Sequence, residues 1–133
     1  MAHPRRFQDD DLGLAELRAF CLSLPGTTEH ETHGRPNFRT KKIFAIYGAT
    51  TKGAGDSGLT YPHSVLVKMQ PAGIRSMESD PRFFTPAYYG PSGWIGLDFS
   101  TGVLDWELVH DLVLDSYRAT APRAFVAQLE ESP

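Results

Sequence analysis

Two apolar stretches joined by a glycine-rich segment constrain the fold of this chain most strongly. Residues 43–47 are apolar or aromatic throughout, and residues 65–67 form a second apolar run inside "HSVLVKM". Residues 48–62 between them contain four glycines, which is typical of a loop. A strand, a loop and a second strand are most simply an antiparallel hairpin with a long tip. The sequence therefore predicts an antiparallel sheet at the centre of the fold.

Apolar residues recur at helical spacing towards both ends of the chain. Near the N-terminus they predict a helix over residues 11–23, with the acidic residues 9–11 at its start and Pro25 and Gly26 stopping it. Cys21 lies on its apolar stripe, so we expect a buried and unreactive thiol. A stronger pattern follows Asp105, which is placed to cap a long helix. Shorter helices are predicted over residues 71–81 and 123–129.

The remaining segments have strand character. Residues 27–33 and 36–40 precede the hairpin, and residues 93–99 alternate as a half-buried strand should. The element order predicts an α+β fold, with a mostly antiparallel sheet and N- and C-terminal helices packed on it. It lacks the βαβ alternation of dinucleotide-binding folds. We expect a flexible tail over residues 1–10 and one compact domain over residues 11–130.

Composition indicates a soluble cytoplasmic protein. No apolar run approaches the roughly 20 residues of a membrane-spanning helix, and the N-terminal arginines are not followed by the apolar region of a secretory signal. The single cysteine, Cys21, cannot form an internal disulfide. We therefore expect no contact with a membrane, and the chain to be a monomer or a homodimer.

Charge is distributed unevenly, although the net charge is −3. Residues 35–68 carry six basic residues against one acidic residue, whereas residues 98–133 carry seven acidic residues against two basic ones. The six basic residues are Arg35, Arg39, Lys41, Lys42, Lys52 and Lys68. They are candidates to contact phosphates, with Tyr47 and Tyr61 as candidate stacking partners for bases. The alternative is that both charged regions are simply solvated.

The segment "EHETH" at residues 29–33 resembles a metal or hydrolase site only superficially. It is one residue short of H-E-x-x-H, whose two histidines share a helix face. On a strand, His30 and His33 point to opposite faces, while Glu29, Glu31 and His33 share one. We favour a solvated polar strand face over a zinc site. No catalytic constellation can be named, so we expect a non-enzymatic protein without a metal or another cofactor.

Several segments, in order, resemble the MmcQ/YjbR family. They are "AFCLSLPGTTE", the G-x-P-x-F-R pattern of residues 34–39, "KKIFAIYG", "HSVLVKM", "FFTPAYYGPSGWIGLDFS" and "DWELVHDLVLDSYRATAPRAF". The resemblance covers residues 11–130 and implies an α+β fold similar to the secretion-chaperone-like group. It also implies DNA binding by a double wing of hairpins, here the strands around residues 38–47 and 63–68. Phosphate contacts by an acidic protein predict that this binding is weak and salt-sensitive. Ser92-Gly93-Trp94 departs from the family's HWN-like element, and the loop at residues 48–60 is long and glycine-rich.

A second hypothesis is a protein- or small-ligand-binding module with an aromatic groove. Its candidate residues are Tyr88, Tyr89 and Trp94. Aromatic residues beside proline and glycine are frequent at recognition surfaces, but small domains also use them to fill the core. We favour core packing for Phe83, Phe84 and Trp94. Rings open in a cleft would favour recognition, whereas buried rings would favour the basic hairpins.

Overall fold

The computed structural model describes residues 6–50, 60–87, 89 and 92–131 and confirms the predicted α+β class. Its helices are α1 (Leu14–Ser23), α2 (Pro71–Met77), α3 (Trp106–Thr120) and α4 (Arg123–Glu131). Its strands are β1 (Thr28–Thr32), β2 (Arg35–Arg39), β3 (Ile43–Thr50), β4 (Thr60–Lys68), β5 (Phe83–Phe84) and β6 (Trp94–Asp98). None of the helices in this described part of the chain is long and apolar enough to cross a membrane.

The six strands form one sheet in the order β1-β2-β3-β4-β6-β5, and every neighbouring pair is antiparallel. The predicted hairpin is β3 and β4 at its centre, where Ile46 pairs with Leu66. Apolar side chains of all four helices pack in the larger of two apolar clusters, whereas the smaller cluster is built from residues outside the helices. The sheet therefore has a helix-covered face and an opposite face, which we call the open face. We call the larger cluster the helix-covered cluster and the smaller one the open-face cluster.

Helix α3 anchors the helix-covered face as the sequence predicted. The Asp105 carboxylate accepts a hydrogen bond from the Leu108 amide and caps the helix. Val109 and Val113 are fully buried, and Tyr117 packs edge-on against Phe44 with ring centroids 5.3 Å apart. Aromatic pairs of this geometry stabilise beyond the area they bury.

A buried serine also joins α3 to the sheet. The Ser116 hydroxyl donates to the Phe44 carbonyl at 2.6 Å and accepts from the Lys68 amide at 3.0 Å. The last paired residues on this side of the hairpin are Ala45 and Val67, so Phe44 and Lys68 lie one position beyond them. The hydroxyl thus links two backbone groups where the β3–β4 ladder ends.

Helix α1 begins three residues later than predicted. Gly13 occupies the N-cap position with φ of 80°, and the Asp11 carboxylate accepts from the Gln8 amide instead of capping the helix. The acidic run therefore forms a turn before the helix. Cys21 is fully buried, as expected, and burial raises the pKa of its thiol. The predicted tail is anchored from Arg6 onward, because Phe7 is buried and the Arg6 amide donates to the Gly34 carbonyl at 2.7 Å.

The strand predicted at residues 93–99 is present as β6, but the prediction that it is half-buried was wrong, because β6 is buried on both faces. On the open face, the Phe84 ring lies over the α-carbon of Gly96, where any β-carbon would overlap it. Tyr89 packs against Trp94 with ring centroids 5.8 Å apart. Helix α2 is also shorter than predicted: it ends at Met77, four residues before Pro81.

Candidate functional site

The open face carries two arginines of β2. Phe38 of this strand is buried in the helix-covered cluster, whereas Asn37 pairs with Ile46, which belongs to the open-face cluster. Because side chains alternate along a strand, Arg35 and Arg39 project on the same side as Asn37. The open face is therefore basic along this strand.

Arg39 is held by neutral partners. Its Nη2 donates to the Asn37 side-chain oxygen at 2.9 Å and to the Thr32 hydroxyl at 3.4 Å. Within the described ranges, no carboxylate forms an ion pair with it, whereas Arg18 pairs with Glu29 at 2.7 Å. The positive charge of Arg39 is therefore held in place without an ion pair to a carboxylate of the described residues.

The turn between β2 and β3 adds two exposed lysines. Lys41 and Lys42 both face solvent, and the Lys42 carbonyl accepts from the Thr40 amide at 3.2 Å. They follow Arg39 directly at the end of β2, so three cations lie together at one end of the sheet. We call Arg39, Lys41 and Lys42 the basic turn.

The other predicted basic residues do not join the basic turn. Arg35 lies at the opposite end of β2, four positions from Arg39, which in an extended chain is about 13 Å. Lys68 ends β4 at the same end of the sheet as the basic turn, but it lines a groove together with Asp111 and Asp115 of α3. Lys52 lies outside the described residues. The structure thus brings together three of the six candidates.

Arg35 instead borders a cleft of about 540 Å³ on the open face. Ile46 and Leu66 form its apolar floor, and Arg6 lies at the same cleft as Arg35. Sequence patterns did not single out Arg6 because it belongs to an N-terminal segment without periodicity. The backbone bond from Arg6 to Gly34 next to β2 explains its position.

His33 also lines this cleft, which corrects the prediction that it shares a strand face with Glu29 and Glu31. Strand β1 ends at Thr32, and His33 adopts a φ of 55°, so the alternation stops before it. Glu29 is engaged by Arg18, as described above. No three histidine, cysteine or acidic residues in the described part of the chain are grouped closely enough to hold a metal ion.

The residues of the predicted aromatic groove differ in their exposure. Tyr89 is half-buried and lines the cleft, while Trp94 is 9% exposed and packs behind it. Tyr88 lies outside the described residues. Phe83 packs with the helix-covered cluster and Phe84 with the open-face cluster, in line with the core-packing alternative.

The two tyrosines proposed to stack on bases also differ in their exposure. Tyr47 is 1% exposed, so its selection as a base-stacking residue was wrong. Its hydroxyl donates to the Leu12 carbonyl and contacts His63 Nδ1 at 3.2 Å. Tyr61 is half-buried and already stacks on Phe84, with ring centroids 3.9 Å apart.

Comparisons with known proteins found a solved structure with a similar fold and a matching family model. The crystal structure of Deinococcus radiodurans protein DR2400, with the family domain DUF419, is similar at a TM-score of 0.59 and 20% identity. The match covers 84% of this chain and 80% of that chain, and at this identity it supports the fold alone. No curated protein matches the chain. The YjbR family model matches residues 22–119, most of the chain. The chain therefore belongs to the YjbR family.

Proposed function

We propose that this chain is a non-enzymatic domain that binds DNA through the basic turn. The observation that carries the proposal is the grouping of Arg39, Lys41 and Lys42 at one end of the sheet, with no carboxylate of the described residues in an ion pair with them. Cations of this kind bind phosphates and release the counterions condensed on nucleic acid. The double wing implied by the family resemblance includes the same hairpin.

The distribution of acidic residues is compatible with this proposal. Asp111 and Asp115 belong to α3, whose apolar side packs on the helix-covered face. Helix α3 contacts β3 close to the basic turn through its buried residues Ser116 and Tyr117, whereas Asp111 and Asp115 are exposed to solvent. Long-range repulsion by the net charge of −3 still opposes binding, so we expect weak affinity that is strongest at low salt.

The first test is fluorescence anisotropy of a labelled duplex and of a labelled single strand, each at several salt concentrations. Three phosphate contacts predict a loss of about 2.7 log units of duplex affinity per log unit of salt. The combined variant Arg39→Gln, Lys41→Gln, Lys42→Gln should lower the affinity and flatten this salt dependence. Its thermal melting is measured in parallel, because Arg39 also contacts Asn37.

The matched control removes the same number of positive charges elsewhere. Arg75, Arg118 and Arg123 are exposed on α2, α3 and α4. Changing all three to glutamine should weaken binding much less, because these arginines lie outside the basic turn. The thermal melting of this variant is measured too, since Arg118 also pairs with Asp115 and Glu130. An equal loss in both combined variants would contradict a localised interface, and so would an affinity that salt does not alter.

A further inference from the structure

The cleft on the open face has the size and polarity of a small-molecule site. Its volume of about 540 Å³ falls within the range of roughly 300–1,000 Å³ typical of ligand pockets. Ile46 and Leu66 supply an apolar floor, and the half-buried Tyr89 supplies an aromatic side. Arg6 and Arg35 supply two guanidinium groups. The cleft thus offers separate surfaces for an apolar body and for a negative charge.

Arg35 is in an unusual electrostatic position. Burial lowers the pKa of its guanidinium, and the positive charge of Arg6 lowers that pKa further. The group nevertheless stays charged, since arginine does not lose its proton in proteins. No carboxylate in residues 6–50, 60–87, 89 and 92–131 forms an ion pair with Arg35. Arg35 is partly buried and Arg6 is exposed, and these two like charges are stabilised when an anion binds between them.

The backbone of β3 is shaped to accept this side chain. Gly48 has a φ of 83°, a conformation that residues with a β-carbon rarely adopt. A β-carbon at this position would collide with Nη1 of Arg35. The absence of a side chain at Gly48 therefore lets the Arg35 guanidinium lie directly against the strand at the edge of the cleft.

We propose that this cleft binds a small organic anion, with its carboxylate or phosphate group held by Arg6 and Arg35 and its apolar body packed on Ile46, Leu66 and Tyr89. Arginine presents a planar set of donors that matches both kinds of oxyanion. This function goes beyond DNA binding and does not rest on it, because Arg35 and the basic turn lie at opposite ends of β2.

The test uses phenyl phosphate and benzoate as probes, with benzyl alcohol as the neutral control, each titrated into the protein and followed by NMR. Ligands of this size bind at about millimolar concentration when they fit a site, so titration to about 10 mM is sufficient. We expect at least one anion to shift signals of residues around the cleft, and benzyl alcohol to bind much more weakly. Anions that do not bind, or a neutral probe that binds equally well, would overturn the proposal.

Arg35→Gln should weaken anion binding by about 10-fold or more, because a charge-assisted pair is lost. Arg39→Gln is the matched control on the same strand and the same face, and it should change anion binding less than about twofold. Gly48→Ala is a second variant that displaces Arg35 without removing its charge, and it should also weaken binding. Unchanged anion affinity in Arg35→Gln would overturn the assignment.

The oligonucleotide titration distinguishes a free anion from the phosphates of DNA. Arg35→Gln should leave DNA affinity nearly unchanged while it weakens phenyl phosphate binding. If it instead weakens DNA binding as strongly as changes in the basic turn do, and the small anions fail to bind, Arg35 belongs to the DNA surface and the inference is overturned. Small-anion binding without any DNA binding would leave the cleft standing and remove only the proposed DNA function.

Discussion

Replacing Ser116 by alanine is expected to lower the free energy of unfolding by about 1–3 kcal/mol, because the buried Phe44 carbonyl and the partly buried Lys68 amide lose their hydrogen-bond partner. The Phe44 carbonyl and the Lys68 amide both bind this hydroxyl, and Ser116 itself is fully buried. Each buried group left unsatisfied costs roughly 1–3 kcal/mol. Chemical denaturation of the variant and of the parent protein measures the difference.

Ser76→Ala is the matched control for this prediction. Ser76 is exposed on α2, and its hydroxyl donates to the Gly73 carbonyl within the same segment. Its removal should change stability by less than about 0.5 kcal/mol, as exposed substitutions usually do. A Ser116→Ala protein as stable as Ser76→Ala would show that water or a direct backbone bond replaces the hydroxyl.

The second large effect is expected at Gly96 and has the opposite sign to the one that strand propensity predicts. Valine is favoured in strands and glycine is not, so propensity alone predicts that Gly96→Val stabilises β6. The structure predicts destabilisation by about 1–3 kcal/mol, because any β-carbon here overlaps the Phe84 ring. Displacing this ring also breaks its stacking on Tyr61.

A double-mutant cycle isolates the contact between Gly96 and Phe84. In a Phe84→Ala background the ring is absent, so Gly96→Val should become neutral or stabilising. The two substitutions are therefore expected to be strongly non-additive in denaturant unfolding. Additive effects would mean that the penalty at position 96 arises from something other than the ring.

Local sequence patterns predicted those elements whose determinants lie close together in the chain. Helix α3 follows from the Asp105 cap and the apolar periodicity behind it, and the β3–β4 hairpin follows from two apolar runs around one loop. The start of α1 was misplaced because the acidic residues suggested a cap, whereas Gly13 at a positive φ begins the helix. The choice between these two starts depends on contacts that local patterns do not contain.

Local sequence patterns could not predict the features that depend on the order of strands in the sheet. Burial of β6 on both faces requires Phe84 of β5 to fold over Gly96, and Ser116 reaches the sheet from a helix far along the sequence. Neither partner is marked by spacing or composition, because both contacts are made between distant segments. The pairing of strands decides them.

The candidate site also combines features that local sequence predicts with features that depend on contacts between distant segments. Charge counting selected six basic residues, and the proximity of Arg39 to Lys41 and Lys42 follows from sequence adjacency. The separation of Arg35 from them is a consequence of the length of an extended strand. Arg6 joins Arg35 only because the N-terminal segment is bonded to Gly34, next to the start of β2.

The most direct test of the proposed DNA function is an amide-resolved NMR titration of the isotope-labelled protein with a short duplex at low salt. We expect the largest signal changes at residues 39–42, and these changes should disappear as salt is raised. Residues of α3 and α4 should be little affected, because they belong to the helix-covered side of the sheet. Changes centred on α3 and α4, or no changes at all, would contradict DNA binding through the basic turn.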